Sequence, residues 1–220
     1  MEPLFTTPRT ILKRLPERGS QDRKLAYDIL DEGLLAHVGF ATDEGPFVIP
    51  MAYARDGNDI LLHGSSVSRL LTKLASGLEL CLCVTLLDGM VLARSVFHHS
   101  MNFRSVVVFG QAELITEPKE KLQALIQLVE HLVPGRNAEA RQPNRKELNA
   151  TSVLRVPLDE ASIKVREGPP KDAKADLALP VWAGVLPLGL LVGEPLADEY
   201  NQSSVPDYVT GYRRGKTILD

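Results

Sequence analysis

The sequence predicts a mainly β protein of the α+β class, an antiparallel sheet closed into a barrel and flanked by a few helices. Three observations predict it. Short runs rich in β-branched and aromatic residues recur along the chain, bounded by Gly, Pro, Asn and Asp turns. Three segments alone carry apolar residues at helical spacing. The strand-like runs are near enough in sequence to pair as hairpins, and closing such a sheet removes exposed edges. With 220 residues, 44% hydrophobic and 24% charged, the chain can bury a core as one domain.

Taken in order, Asp22 to Glu32 places Leu25, Ile29 and Leu30 on one helical face, and Gly33 is suited to end the turn. Leu34 to Phe40 and Phe47 to Tyr53 read as a hairpin around Thr42-Asp43-Glu44-Gly45-Pro46. After the turn Arg55-Asp56-Gly57-Asn58, Ile60 to His63 forms a third strand that breaks at Gly64 and opens into a helix. Leu70, Leu71 and Leu74 anchor that helix and Gly77 closes it. Leu80 to Leu86 and Met90 to Phe97 read as strands joined by a hairpin turn at Leu87-Asp88-Gly89, followed by a strand from Phe103 to Ile115. The strongest helix runs from Glu117 to Leu132. Thr116 is its expected N-cap, Pro118 lies in its first turn, and Leu122, Leu125, Ile126, Val129 and Leu132 form its apolar stripe. A polar segment from Arg136 to Asn149 precedes strand character from Ser152 to Val165. Residues 1–167 form the barrel. Residues 168–220, rich in Pro and Gly, form an extended segment of the same domain that packs on the barrel or on a partner subunit through the island Trp182-Ala183-Gly184-Val185-Leu186-Pro187-Leu188.

Composition excludes several classes. A net charge of −3 and the lack of any basic block argue against nucleic-acid binding. No apolar run approaches the roughly 18 residues of a spanning helix, and the start lacks a leader pattern, so a cytoplasmic protein is expected. Cys81 and Cys83 stand two apart on a strand, point to one side and are read as reduced thiols in the core. They lack the spacing and partners of a zinc site. Adjacent His98 and His99 point to opposite faces of a strand, so no metal site is expected.

The segment His63-Gly64-Ser65-Ser66-Val67-Ser68-Arg69 carries the most chemistry. Unpaired backbone N–H groups at a helix entrance, serine hydroxyls and a guanidinium together make a phosphate site. Serines also cap helices commonly and first-turn arginines are usually solvated, so an ordinary capped helix accounts for these residues by themselves.

Leu35-Ala36-His37-Val38-Gly39-Phe40, Val48-Ile49-Pro50-Met51-Ala52-Tyr53 and His63 to Leu71, in that order, resemble the flavin-nucleotide-binding branch of the pyridoxamine 5′-phosphate oxidase-like superfamily, which includes relatives of nitroimidazole-resistance proteins. Asp88 to Ser95, His99 to Gly110, Ile163-Lys164-Val165-Arg166 and Trp182 to Pro187 extend the resemblance to roughly residues 8–190. It implies a six-stranded FMN-binding split β-barrel, acting as a homodimer with FMN at the subunit interface. By the same resemblance Ser65, Ser66, Ser68 and Arg69 hold the FMN phosphate, with His63 and Gly64 among the cofactor-site residues, and Pro50, Met51, Ala52 and Tyr53 lie beside the ring and ribityl chain. Arg104 and Ser105 line the cleft, with Lys164, Arg166 and Trp182 supplied by either subunit and Trp182 placed to stack on the ring. Tyr53 and Trp182 are, as residue types, more often packing residues than cofactor contacts. The implied activity is that of an oxidoreductase moving electrons or hydride to a small organic acceptor, with a nitro-aromatic as the analogy from related branches. The alternatives are a non-catalytic flavin carrier or sensor, a deazaflavin binder, and a haem-binding barrel using His63, His98 or His99. A true pyridoxamine phosphate oxidase fits less well, because Leu70 stands where that enzyme's serine-arginine motif continues with lysine and the C-terminal segment lacks its arginine-rich motif.

Overall fold

The computed structural model describes residues 2–215. Ten strands form one antiparallel sheet: β1 (Gly19–Ser20), β2 (Leu35–Thr42), β3 (Gly45–Asp56), β4 (Asp59–Ser65), β5 (Glu79–Leu92), β6 (Ser100–Gln111), β7 (Glu113–Leu114), β8 (Thr151–Pro157), β9 (Glu160–Arg166) and β10 (Gly184–Pro187). The strand order is β1-β9-β6-β5-β2-β3-β4-β8-β7, with β10 added to β5. The helices are α1 (Arg23–Glu32), α2 (Arg69–Ala75), α3 (Pro118–Leu132), α4 (Arg145–Ala150) and α5 (Asp207–Thr210).

The sheet curls because one core serves both of its ends. Val106, Val108 and Ile163 from β6 and β9 share a buried cluster with Leu62, Leu154 and Val156 from β4 and β8. Period-two alternation directs Leu80, Leu82 and Val84 inward from β5. The same alternation turns the cysteines outward: Cys81 is exposed and Cys83 half-buried, both as free thiols. They share a side as expected, but it is the outer side, because the leucines and valine between and beside them take the inner one.

A second cluster lies on the opposite face of β3, β4 and β8. Ala54, Leu61 and Val153 are covered there by Ala124 and Leu128 of α3. This cover stops short of β2, β5, β6 and β9. The row Pro50, His37, Cys83, Val107 and Ser162, in register across five strands, therefore lies on an outer face, and none of these five residues is fully buried.

Several boundaries differ from the sequence reading. Asp88-Gly89 does not reverse the chain: β5 runs through it, and the register against β6 shifts between Leu87 and Gly89. The extra residue makes a bulge, and the Asp88 carboxylate turns to the Arg104 guanidinium (2.7 Å). Strand character ends at Leu92 rather than Phe97, and Val96–His98 forms a 3-10 turn. Likewise β4 continues through Gly64 to Ser65, so the strand does not break at the glycine. Glu117, not Thr116, caps α3 by accepting from the Lys119 amide. The polar segment hides α4, which opens with a reciprocal capping box between Asn144 and Glu147.

The C-terminal end of α1 is held by distant residues. Its last carbonyls lack intrahelical donors. Tyr53 Oη donates to the Leu30 carbonyl at 2.6 Å, and Arg214 donates to the carbonyls of Glu32 (2.9 Å) and Gly33 (3.0 Å). Arg214 thereby ties the end of the described tail to the barrel, while β10 pairs with Gly89–Leu92.

Candidate functional site

Ser65 ends β4, and its carbonyl accepts from the Ser68 amide at 2.9 Å, which folds Ser65 to Ser68 into a tight turn. Ser68 occupies the N-cap of α2, yet its side chain makes no capping bond, and no acidic residue lies in the first turn. Ser65 and Ser66 are exposed. The Ser65 hydroxyl accepts weakly from the Val67 amide (3.4 Å), while the Ser68 hydroxyl is held at the helix entrance without capping it. Gly64 packs closely on α2, and a Cβ there would stand 3.0 Å from Leu71 Cδ1 and press on that side chain. His63 precedes it half-buried, its Nδ1 enclosed without a partner among the described residues, and burial pushes its pKa below the usual imidazole value.

Arg69 reaches from this turn to the start of β3. Its guanidinium lies 5.1 Å from the centre of the Phe47 ring and 3.2 Å from a Glu44 carboxylate oxygen, and the side chain stays 66% exposed. Phe47 in turn stacks on Phe40 with ring centres 5.4 Å apart. Over Gly45 to Ala52, β3 pairs with β2, and its pairing with β4 begins only at Tyr53. Among the described residues, the other edge of β3 therefore has no strand partner beside the Arg69 contact. Hydroxyls, a guanidinium and an open strand edge with its backbone groups meet here. Phe47 and Glu44 belong to this constellation although their sequence positions mark only a strand start and a turn.

Of the remaining sequence candidates, Pro50 is exposed on the outer face, with Ala52 half-buried at the same parity. Met51 packs against the core, and Tyr53 is 0% exposed. The four consecutive residues split between the two faces, as strand geometry requires. Burial raises the Tyr53 pKa above the phenolic value, with its hydroxyl committed to Leu30. Tyr53 is a core residue. Arg104 and Ser105 separate for the same geometric reason. Arg104 is clamped by Glu32 and Asp88, with 13% of its side chain exposed, and these bonds hold its pKa well above the ordinary value. Ser105 faces the other way and donates to the Lys164 carbonyl at 3.4 Å. Trp182 is 67% exposed and folds against Gly184, where a Cβ would lie 2.9 Å from the indole. The structure therefore groups His63 to Arg69 with the β3 edge, and Ser105 with Lys164. It leaves Tyr53, Met51 and Arg104 in the interior or in ion pairs.

Residues 22–165 match the sequence profile of the pyridoxamine 5′-phosphate oxidase family, and the chain belongs to that family. Its fold is close to that of the flavocytochrome Anf3 from Azotobacter vinelandii: 40% identity, 95% of this chain and 98% of that one covered, TM-score 0.89. It is also close to an FAD- and haem-binding protein from Mycobacterium smegmatis: 38% identity, 88% and 96% covered, TM-score 0.85. A candidate 5-nitroimidazole antibiotic resistance protein from Bacteroides thetaiotaomicron shares the fold at 22% identity, with 67% and 86% covered and a TM-score of 0.55. No curated protein matches the chain. Among the described residues, no helix is long and apolar enough to cross a membrane, and no group of three His, Cys, Asp or Glu side chains could hold a metal ion.

Proposed function

We propose that the protein is a flavin-binding redox protein that also takes haem and works as a homodimer. One observation carries this reading: the likeness to a flavocytochrome extends over 95% of the chain at 40% identity, beyond residue 165 where the family profile ends. The residues at the α2 entrance fit a flavin phosphate. Ser65, Ser66 and Ser68 supply hydroxyls, Arg69 a guanidinium, and the open edge of β3 supplies backbone donors and acceptors for the polar side of a flavin ring. The flavin is FMN or FAD. The compact serine and arginine group suits FMN, the likeness to an FAD- and haem-binding protein favours FAD, and chromatography of the released nucleotide decides.

Of the three histidines considered for haem, His99 is the best prepared. Its Nδ1 lies 3.0 Å from the Ser95 carbonyl, which can only accept, so Nδ1 carries the proton and Nε2 keeps its lone pair. The side chain is exposed, beside Val96 and Phe97 at 91% and 88% exposure, an apolar surface of the kind a porphyrin covers. His63 is less suited, because its Nδ1 is enclosed.

A bound flavin supplies hydride and electron chemistry and haem supplies one-electron chemistry; the chain binds them, orients them and limits solvent access. The homodimer reading rests on the apolar tail, where Trp182, Leu190, Leu191 and Leu196 are 67%, 62%, 86% and 95% exposed. His99→Ala tests the haem assignment. The Soret band should fall while flavin absorption stays; an unchanged Soret band removes His99 as ligand.

A further inference from the structure

A cleft of about 700 Å³ opens where the end of β9 meets the N-terminal segment and the start of the tail. Its volume falls in the range of small-molecule sites, roughly 300–1,000 Å³. The innermost cation is Arg166, only 6% exposed. Its guanidinium donates to Asn102 Oδ1 and to the carbonyls of Gly168 (2.9 Å) and Pro169 (3.3 Å), all of them neutral. Arg104 lines the same cleft and shows the contrast, since two carboxylates neutralise it.

Arg18, half-buried, and Lys171, at the mouth, also line the cleft. Among the described residues, Arg18, Arg166 and Lys171 form no ion pair. Of the cleft's carboxylates, Glu32 is bound by Arg104 and Asp28 by Lys24, while Glu17 and Glu167 are exposed at the rim. At the inner end Arg166 therefore meets only neutral acceptors, with no carboxylate paired to it or to Arg18 among the described residues. Burial lowers the Arg166 pKa and the nearby Arg18 charge lowers it further, a penalty that an anion in the cleft would relieve.

We propose that this cleft is an oxyanion-binding site in which Arg166 and Arg18 take the phosphate or carboxylate group of a small ligand, with Lys171 at its entrance. With Nη1 spent on Asn102 and Gly168 and one Nη2 hydrogen on Pro169, Nε and the second Nη2 hydrogen of Arg166 are left to give direction, and Arg18 adds charge at the opening. The site shares no residue with the Ser65–Arg69 group and does not depend on that group holding a flavin. The oxyanion comes either from a diffusible metabolite or from the acid groups of a bound cofactor.

The test is calorimetric titration of the full-length protein, as purified, with inorganic pyrophosphate, alongside cofactor content by absorbance. Wild type is compared with Arg18→Ala and Arg166→Lys. A diffusible anion predicts that wild type binds pyrophosphate and that Arg18→Ala weakens binding about tenfold or more with the spectrum unchanged. An acid group on a resident cofactor predicts no pyrophosphate binding by wild type and less cofactor per chain in both variants, with circular dichroism unchanged. Pyrophosphate binding and cofactor content that are both indifferent to Arg18 and Arg166 overturn the proposal, whether or not the protein carries flavin or haem.

Discussion

Replacing Tyr53 by Phe removes one oxygen from the centre of the molecule and should destabilise the fold without touching the flavin. Tyr53 is 0% exposed, and its hydroxyl is 2.6 Å from the Leu30 carbonyl, which has no helical donor at the end of α1. A Cβ on Gly33 would lie only 2.6 Å from the same hydroxyl, so little room exists for water to replace it. The Leu30 carbonyl is then left buried and unpaired. Such a loss costs about 1–3 kcal/mol, and the enclosed position argues for about 2 kcal/mol. With a urea slope of about 2 kcal/mol/M, the midpoint should fall by about 1 M. Reversible urea unfolding followed by circular dichroism measures this, and bound flavin is quantified on the same preparation. A midpoint shift below about 0.25 M, or a selective loss of flavin from a folded variant, would refute the assignment of Tyr53 to the core.

Arg69→Ala should weaken flavin binding by about 1.5–3 kcal/mol, the range for a hydrogen bond to a charged group; equal affinity by fluorescence titration counts against the α2 entrance. Gly33→Ala should cost about 1–3 kcal/mol, because its methyl would stand 2.6 Å from both Tyr53 Oη and Val84 Cγ1; thermal unfolding reports it. Hydrogen bonds from Arg9, and then from Thr7, hold the Glu160 carboxyl down at about 2. A depressed folded pKa means that its contribution is full above the unfolded value, near 4.5, and is lost as pH falls towards 2, so Glu160→Gln should flatten the acid limb of a stability profile. Trp182, the single tryptophan, is 67% exposed in one chain, and its emission should shift to the red when dilution dissociates the dimer; emission independent of concentration, with a monomer mass by light scattering, contradicts the homodimer.

Much of the architecture was legible because alternation and turn residues act locally. The α1 helix, the β2–β3 hairpin and α3 follow from spacing, Asp22 and Pro118. What escaped the sequence depends on tertiary partners. Asp88-Gly89 carries a hairpin signature, yet continuous pairing of β5 with β6 on one side and β10 on the other turns it into a bulge. The cysteines were misplaced because hydrophobicity cannot say which side of a strand faces in; the neighbouring Leu80, Leu82 and Val84 decide it. At the site, the Ser65–Arg69 cluster was readable from adjacency and residue type. Its contact with Phe47 and Glu44, 22 and 25 positions before Arg69, arises only from folding. Tyr53 next to Ala52, and Arg104 next to Ser105, show the limit of a motif: neighbours in a strand belong to opposite faces.

The central claim is that this chain holds a flavin together with haem, and the visible spectrum of the freshly purified protein tests it most directly. The account predicts visible flavin absorption overlaid by a Soret band, with both cofactors released in defined proportion to the chain on denaturation. A colourless protein that takes up neither FMN, FAD nor haemin would contradict it.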